Sequence, residues 1–173
     1  MRKITITFLC IIALFSMTIV KFCPAELSSN SDSTQFESKI SECLKKKDYS
    51  RALTYINEML KYDPRCIDCY LGIGILNYYL GNYQEAISFL NRTIEQSNII
   101  DEGEKPDAGL VYIILGIVYD KIGQQEKAKE ELSNALKYFE NKQDWEVVFI
   151  VEAFLKKITQ YNNDTSSETS DKR

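Results

Sequence analysis

Apolar residues recur at helical spacing along most of the chain, from about residue 35 to residue 161. In the middle of this region the spacing predicts a helix over about Asp68–Tyr79, a tight turn at Gly81 and a second helix over about Tyr83–Gln96. Each of these helices is amphipathic, so its apolar face must be buried against another helix. The pattern therefore predicts an all-α fold built from helical hairpins.

The hairpin pattern occurs three times. Ala52 and Ala86 are 34 residues apart, and Ala128 follows 42 residues later, which is 34 plus an eight-residue insertion near Asp101–Ala108. Gly, Pro and charged residues in that insertion indicate a loop. The same offsets superpose Tyr49 on Tyr83, Ile56 on Leu90 and Leu132, Phe36 on Tyr70 and Tyr112, and Gly81 on Gly123. We predict repeats over about residues 33–66, 67–100 and 109–142.

Two glycines, Gly74 and Gly116, fall at the same place inside the first helix of units two and three. A glycine within a helix costs about 1 kcal/mol relative to alanine. Its recurrence therefore needs a packing reason, and we expect a close crossing of the two helices of each hairpin at these positions.

Two motifs recur in units two and three. They are Tyr70-Ile73-Gly74 with Tyr112-Leu115-Gly116, and Gly81-Tyr83-Ala86 with Gly123-Gln125-Ala128. These motifs resemble the tetratricopeptide repeat, a helix-turn-helix unit of 34 residues. The resemblance implies a right-handed solenoid of three such units with a C-terminal capping helix, acting as a non-catalytic protein–protein interaction scaffold. Unit one departs from the pattern, with Lys39-Ile40 in place of Leu-Gly and Lys47 in place of the turn glycine.

In the family that the sequence resembles, the first helix of each unit lines a concave groove that binds extended peptides or partner helices. The resemblance places the groove of this chain at Leu71, Ile75, Tyr78, Tyr79, Ile113 and Ile117. The alternative is that these side chains only pack against each other or against the last helix. Family members that clasp an acidic carboxylate tail present Lys, Asn and Arg in the groove. The matching positions here hold Glu37, Ser41, Gly72, Leu110 and Ile114, so no such clamp is expected.

A seventh helix is predicted after the third unit, over about residues 144–160. It carries two apolar stripes, Val147, Val151, Phe154 and Ile158 on one side and Trp145, Val148, Phe149 and Leu155 on the other. A helix that closes a solenoid needs only one apolar face. The second stripe indicates either a wide contact with the last repeat or a contact with a partner or a second copy of the chain.

The N-terminus has the order of an export signal. Met1-Arg2-Lys3 is basic, and residues 4–20 contain no charge. Such an order favours a cleaved signal peptide or an uncleaved membrane anchor over residues 1–25, with lipidation at Cys23 a weaker alternative. Each of these places the rest of the chain outside the cytoplasm, either anchored to a membrane or as a periplasmic or secreted protein.

Two polar segments flank the repeats. Residues 26–34 are rich in serine and predict a tether, and residues 162–173 predict a disordered tail, which leaves residues 35–161 as the folded domain. Beyond residue 25 the chain has 18 basic and 25 acidic residues, a net charge of −7. An acidic domain argues against binding to nucleic acid, which needs a basic surface.

Little in the sequence points to catalysis. The chain has no histidine, the commonest general base and zinc ligand, and we expect neither a metal nor a cofactor. Cys66 and Cys69 form a C-x-x-C motif at a helix start, and thiol–disulfide redox chemistry is the alternative function. No second C-x-x-C is present for a zinc site, and no histidine follows Cys69 for haem attachment. A local disulfide or two free thiols are the structural interpretations of the pair.

Overall fold

The computed structural model describes residues 31–99 and 106–170, with side chains over residues 35–99 and 106–160. The helices in this part of the chain are α1 (Ser31–Lys45), α2 (Tyr49–Tyr62), α3 (Ile67–Leu80), α4 (Tyr83–Ile99), α5 (Ala108–Lys121), α6 (Gln125–Asn141) and α7 (Trp145–Ser170). Consecutive helices pack against each other, and α3 also contacts α5. The described residues contain no strand, so the predicted all-α class is confirmed.

The helices form three hairpins, α1–α2, α3–α4 and α5–α6, and α7 packs on α6. The hairpins begin and end within a few residues of the predicted repeat units. The prediction that the first helix of the unit is amphipathic is wrong for α3, which is apolar nearly all round, as is α5. Such helices suit this position, since each is covered by its own hairpin partner and by neighbouring units. These first helices therefore form the centre of the stack.

Both ends of the folded region extend further than predicted. Residues 31–34, expected in the polar tether, form the first turn of α1, and α7 continues to Ser170 through most of the expected disordered tail. No glycine or proline follows Gly123, so nothing in the tail forces the helical hydrogen-bond ladder to stop. Residues 1–25, the predicted signal or anchor, lie outside the described residues.

The three hairpin turns share one backbone geometry. Lys47, Gly81 and Gly123 all have positive φ, at 56°, 82° and 78°. In each turn the next backbone N–H donates a 2.9 Å hydrogen bond to a carbonyl oxygen five residues earlier, as Asn82 does to Asn77. This is the helix-ending arrangement that favours glycine. Lys47 adopts it without the glycine's freedom, so unit one is strained where it departs from the repeat pattern.

The close helix crossing expected at the repeated glycines is confirmed. A Cβ added at Gly74 would lie 2.8 Å from Leu90 Cγ and 3.4 Å from the carbonyl oxygen of Ala86. At Gly116 the equivalent Cβ would lie 2.7 Å from Leu132 Cγ and 3.3 Å from the matching backbone oxygen. Each leucine therefore occupies the space that a larger residue would need. In unit one Ile40 takes this position, and the backbones of α1 and α2 approach each other less closely.

The buried side chains form two clusters that meet at α3. One joins units two and three to α7, and its members include Leu90, Leu132 and Val151. The other joins α1 and α2 to the side of α3 that carries Cys69 and Ile73. Helix α3 thus links the two halves of the core.

Within residues 31–99 and 106–170, no helix is both long enough and apolar enough to cross a bilayer.

Candidate partner-binding surface

The six predicted groove residues are not equally accessible. Ile75 is only 6% exposed and belongs to the buried core, so it is not part of any accessible surface; its place in the predicted groove needs correction. The reason is that α3 is covered by α2, α4 and α5, which leaves a narrow strip of it open. Tyr79 is 37% exposed and is the most accessible of the six.

The five other residues lie on adjacent helices. Leu71, Tyr78 and Tyr79 belong to α3, and Ile113 and Ile117 belong to α5, which contacts α3 directly. Leu71, Tyr78 and Ile113 are partly buried and pack against the core with part of each side chain left accessible. We call these five residues the α3–α5 face. The alternative prediction, that these side chains only pack within the protein, is therefore correct for part of each side chain, while the rest of each side chain is accessible.

A cluster of tyrosines stands at the turn end of this face. The rings of Tyr49 and Tyr79 are stacked, with centroids 4.8 Å apart and planes at 17°. Tyr78 meets the Tyr79 ring edge-on at 5.5 Å and lies 6.1 Å from the ring of Tyr83. Four aromatic rings from α2, α3 and α4 thus form one connected patch, the tyrosine cluster. Offset and edge-on ring pairs add about 0.5–1.5 kcal/mol each beyond buried area.

Sequence reasoning identified half of the tyrosine cluster. The family groove predicts Tyr78 and Tyr79, whereas the sequence marks Tyr49 and Tyr83 only as superposed repeat positions. Each of the latter begins the second helix of its unit, directly after the hairpin turn. Tyr49 and Tyr83 could have been predicted as well, because stacking of adjacent repeats brings the residues beside their hairpin turns to the same end of the stack.

The electrostatic setting keeps these phenols neutral. Burial raises the pKa of Tyr78, and the nearby Tyr83 and Asp120 raise it further. Burial likewise raises the pKa of Tyr79, with smaller contributions from Tyr49 and Tyr78. Neutral tyrosine has an apolar ring and a polar edge, so the surface suits a ligand that combines apolar contact with hydrogen bonding.

Cys66 and Cys69 are joined by a disulfide at the start of α3. Cys66 precedes the first residue of the helix, and its Sγ accepts a 3.1 Å hydrogen bond from the backbone N–H of Cys69. Cys69 is fully buried, and Cys43 is a buried free thiol in the same cluster. The bridge therefore lies within the first turn of α3, and Cys66, unlike Cys69, is only partly buried.

No metal-binding chemistry is visible in the part of the chain described. Over residues 35–99 and 106–160, whose side chains are described, no group of three or more cysteine, aspartate or glutamate side chains is placed to bind an ion.

Comparison with known proteins supports the fold. Residues 66–141 match the family described as tetratricopeptide repeat. The TPR2B domain of yeast Sti1, in a complex with an Hsp70 peptide, is 19% identical with a TM-score of 0.63, over 76% of this chain and 99% of that domain. The type III secretion translocator chaperone SycD of Yersinia enterocolitica is 18% identical with a TM-score of 0.64, over 80% of this chain and 92% of SycD.

A further structure, the first tetratricopeptide repeat domain of Spaghetti bound to an HSP90 peptide, is 16% identical with a TM-score of 0.61 and covers 80% of this chain and 99% of that domain. No curated protein sequence matches the chain. At these identities the structural likeness shows the shared fold. Together with the family match over residues 66–141, it shows that the chain contains tetratricopeptide repeats and has the fold of tetratricopeptide repeat domains.

Proposed function

We propose that the chain is a non-catalytic interaction scaffold that holds a protein partner on its α3–α5 face. The observation that carries this proposal is the tyrosine cluster, because it continues a partly exposed apolar surface at the centre of the stack. Partly exposed aromatic side chains anchored in a rigid surface are the composition of interaction hot spots. Two of the similar solved domains hold Hsp70 or HSP90 peptides, which supports a peptide or protein as the ligand class.

The chemistry of the face favours an apolar ligand over an acidic peptide tail. The five residues of the face carry no charge, and the negative charge of Asp120 lies close enough to raise the pKa of Tyr78. The positions at which the family's carboxylate clamp would stand hold no lysine or arginine. We therefore propose a ligand segment with apolar or aromatic side chains that insert beside Tyr79.

The test uses a photo-reactive phenylalanine analogue placed in the full chain at Tyr79. Tyr62 is the matched control, because it is also an exposed tyrosine, at 77%, and its ring lies 6.1 Å from Phe36 in unit one rather than in the tyrosine cluster. We expect partner adducts at position 79 and none at position 62. The Ile117→Glu variant should abolish those adducts, because a charge would replace apolar contact on the face.

Equal adducts at both positions, or adducts at position 79 that Ile117→Glu leaves unchanged, would refute the face as the binding surface. Circular dichroism of each variant serves as the folding control. Ile117 is partly exposed and is therefore a mild site for substitution.

We also propose that residues 1–25 export the chain or anchor it to a membrane, with the repeats outside the cytoplasm. The basic start and the uncharged run over residues 4–20 support this. The mass of the mature N-terminus separates cleavage from retention. Protease added to cells whose outer envelope is permeabilised, with the inner membrane intact, should digest the repeats; full protection of the repeats there, with residues 1–25 still attached, would contradict a location outside the cytoplasm.

A further inference from the structure

Helix α7 has one buried face and one exposed aromatic face. Val151 and Ile158 are buried in the core cluster that includes the third unit, and Val148 is buried as well. On the opposite side Trp145 is 64% exposed and Phe149 is 73% exposed. The two predicted apolar stripes of this helix therefore have different environments: the first packs inward, while the second is split, with Val148 turned inward and both large aromatic side chains turned to solvent.

The exposed face continues along the helix. Residues four apart lie on one side of a helix, so Ala153 follows Phe149 on the same face, and Lys156 follows one turn later. All of these side chains are exposed, as is Glu146 at the border of the face. We call Trp145, Glu146, Phe149, Ala153 and Lys156 the α7 outer face.

We propose that the α7 outer face binds a second copy of the chain, with the two α7 helices antiparallel about a twofold axis near residue 151. This register places Phe149 of each copy against Ala153 of the other, where the small side chain leaves room for the ring. It also places Glu146 of each copy beside Lys156 of the other. A twofold contact requires a surface that complements itself, and this face does so in both shape and charge.

The self-complementary charges favour a second copy over an unrelated partner. Glu146 and Lys156 are ten residues apart, nearly three helical turns, so they cannot pair with each other within one helix. In the antiparallel pair the twofold axis brings them together twice. Binding of an unrelated partner would not require that Glu146 and Lys156, which have opposite charges, lie five residues on either side of position 151.

The available area indicates a weak dimer. The rings of Trp145 and Phe149 together expose roughly 300 Å² of each copy, from their exposed fractions and the usual area of these side chains. A stable dimer buries roughly 800 Å² per partner. The aromatic contact is much smaller than this, so we expect a transient dimer with a dissociation constant on the order of 100 µM.

Trp145 is the only tryptophan of the chain, so its fluorescence reports directly on this face. The full chain, in a non-ionic detergent at fixed concentration, is diluted from about 500 to about 1 µM across the expected dissociation constant. We expect the emission to shift to longer wavelength on dilution, in parallel with a change from dimer to monomer by sedimentation. Phe149→Ala should weaken the association by about tenfold or more.

Charge reversal tests the register. Glu146→Lys and Lys156→Glu should each weaken the dimer severalfold, because each brings two like charges together twice. The double variant should restore it, because the opposite charges then meet again with their places exchanged. Tyr79→Ala, which lies on the α3–α5 face, should leave association unchanged, so the outcome here is independent of the proposed function.

Three results would overturn the proposal. The first is a monomer at every concentration. The second is a dimer whose Trp145 emission does not change on dilution or whose strength Phe149→Ala does not alter, which would place the contact elsewhere, for example in residues 1–25. The third is a double charge variant as weak as the single ones, which would exclude the antiparallel register.

Discussion

The crossing of Gly116 and Leu132 gives the sharpest test of how the hairpins pack. In Gly116→Ala the new methyl carbon would lie 2.7 Å from Leu132 Cγ and 2.9 Å from Leu132 Cδ2, far inside normal contact. Leu132 is fully buried, and Cγ is the branch point of its side chain, so the clash is not relieved by moving a flexible end. Overpacking of this kind costs about 1–3 kcal/mol, and the alanine regains about 1 kcal/mol of helix propensity. We expect a net loss of about 1 kcal/mol.

The compensating change is Leu132→Ala. Removing a fully buried leucine costs about 2–5 kcal/mol, so about 3 kcal/mol is expected for the single variant. In the double variant the methyl group of residue 116 enters the vacated space without a clash and keeps its gain in helix propensity. The double variant should therefore lose only about 2 kcal/mol, against about 4 kcal/mol for the sum of the single variants. The expected coupling is about 2 kcal/mol.

Urea unfolding followed by far-ultraviolet circular dichroism measures each free energy of unfolding in this cycle. The matched control pairs Gly116→Ala with Leu90→Ala, which is the same substitution in the leucine that faces Gly74 in the neighbouring hairpin. That control pair should be additive to about 0.5 kcal/mol. If the free-energy changes of Gly116→Ala and Leu132→Ala add, or if the control pair shows equal coupling, then the argument that each glycine makes room for the leucine that packs on it is refuted.

Three further predictions concern the turns, the tyrosines and the disulfide. Lys47→Gly should raise the free energy of unfolding by about 0.5–1 kcal/mol, because glycine adopts the left-handed backbone without strain, at some cost in unfolded-chain entropy. Gly81→Ala should lower the free energy of unfolding by about 1 kcal/mol through backbone strain alone, since its Cβ would meet no atom within 4 Å. Urea unfolding midpoints measure both changes. The raised pKa values of Tyr78 and Tyr79 mean that the folded state holds these protons more tightly than the unfolded state. The stability that they contribute is therefore complete below about pH 10 and declines as the pH rises above that value, and Tyr78→Phe with Tyr79→Phe should flatten the decline in thermal melts. Reducing the Cys66–Cys69 disulfide should lower the free energy of unfolding by about 2 kcal/mol or less, because it closes a very short loop, and a loss of folding on reduction would contradict this.

The repeat architecture could be predicted because two independent patterns agree. Helical periodicity fixes the hairpins, and the 42-residue offset, which is the repeat length of 34 plus the eight-residue insertion, superposes Gly74 on Gly116 and Leu90 on Leu132. The ends of the domain could not be placed in the same way. Polar residues 31–34 and 162–170 carry no apolar face, so composition suggested unstructured chain, while nothing in those segments prevents the helix from continuing.

Surface exposure was harder to predict than helix position. The family resemblance places Ile75 in the groove, but its helix is apolar nearly all round, and periodicity does not show which side of such a helix is covered. The same difficulty applies to α7, where Trp145 and Val148 share a predicted stripe but differ in exposure. Contacts between units determine which side of α3 and of α7 is buried, and these contacts cannot be deduced from the periodicity of a single sequence.

The central claim is that the hairpins form one stack joined through α3, which takes part in both halves of the core. Differential scanning calorimetry of the full chain tests this most directly. A single transition, with a calorimetric enthalpy equal to the van't Hoff enthalpy, is the predicted result. Two resolved transitions, or a calorimetric enthalpy well above the van't Hoff value, would show that the hairpins unfold independently and would contradict the account.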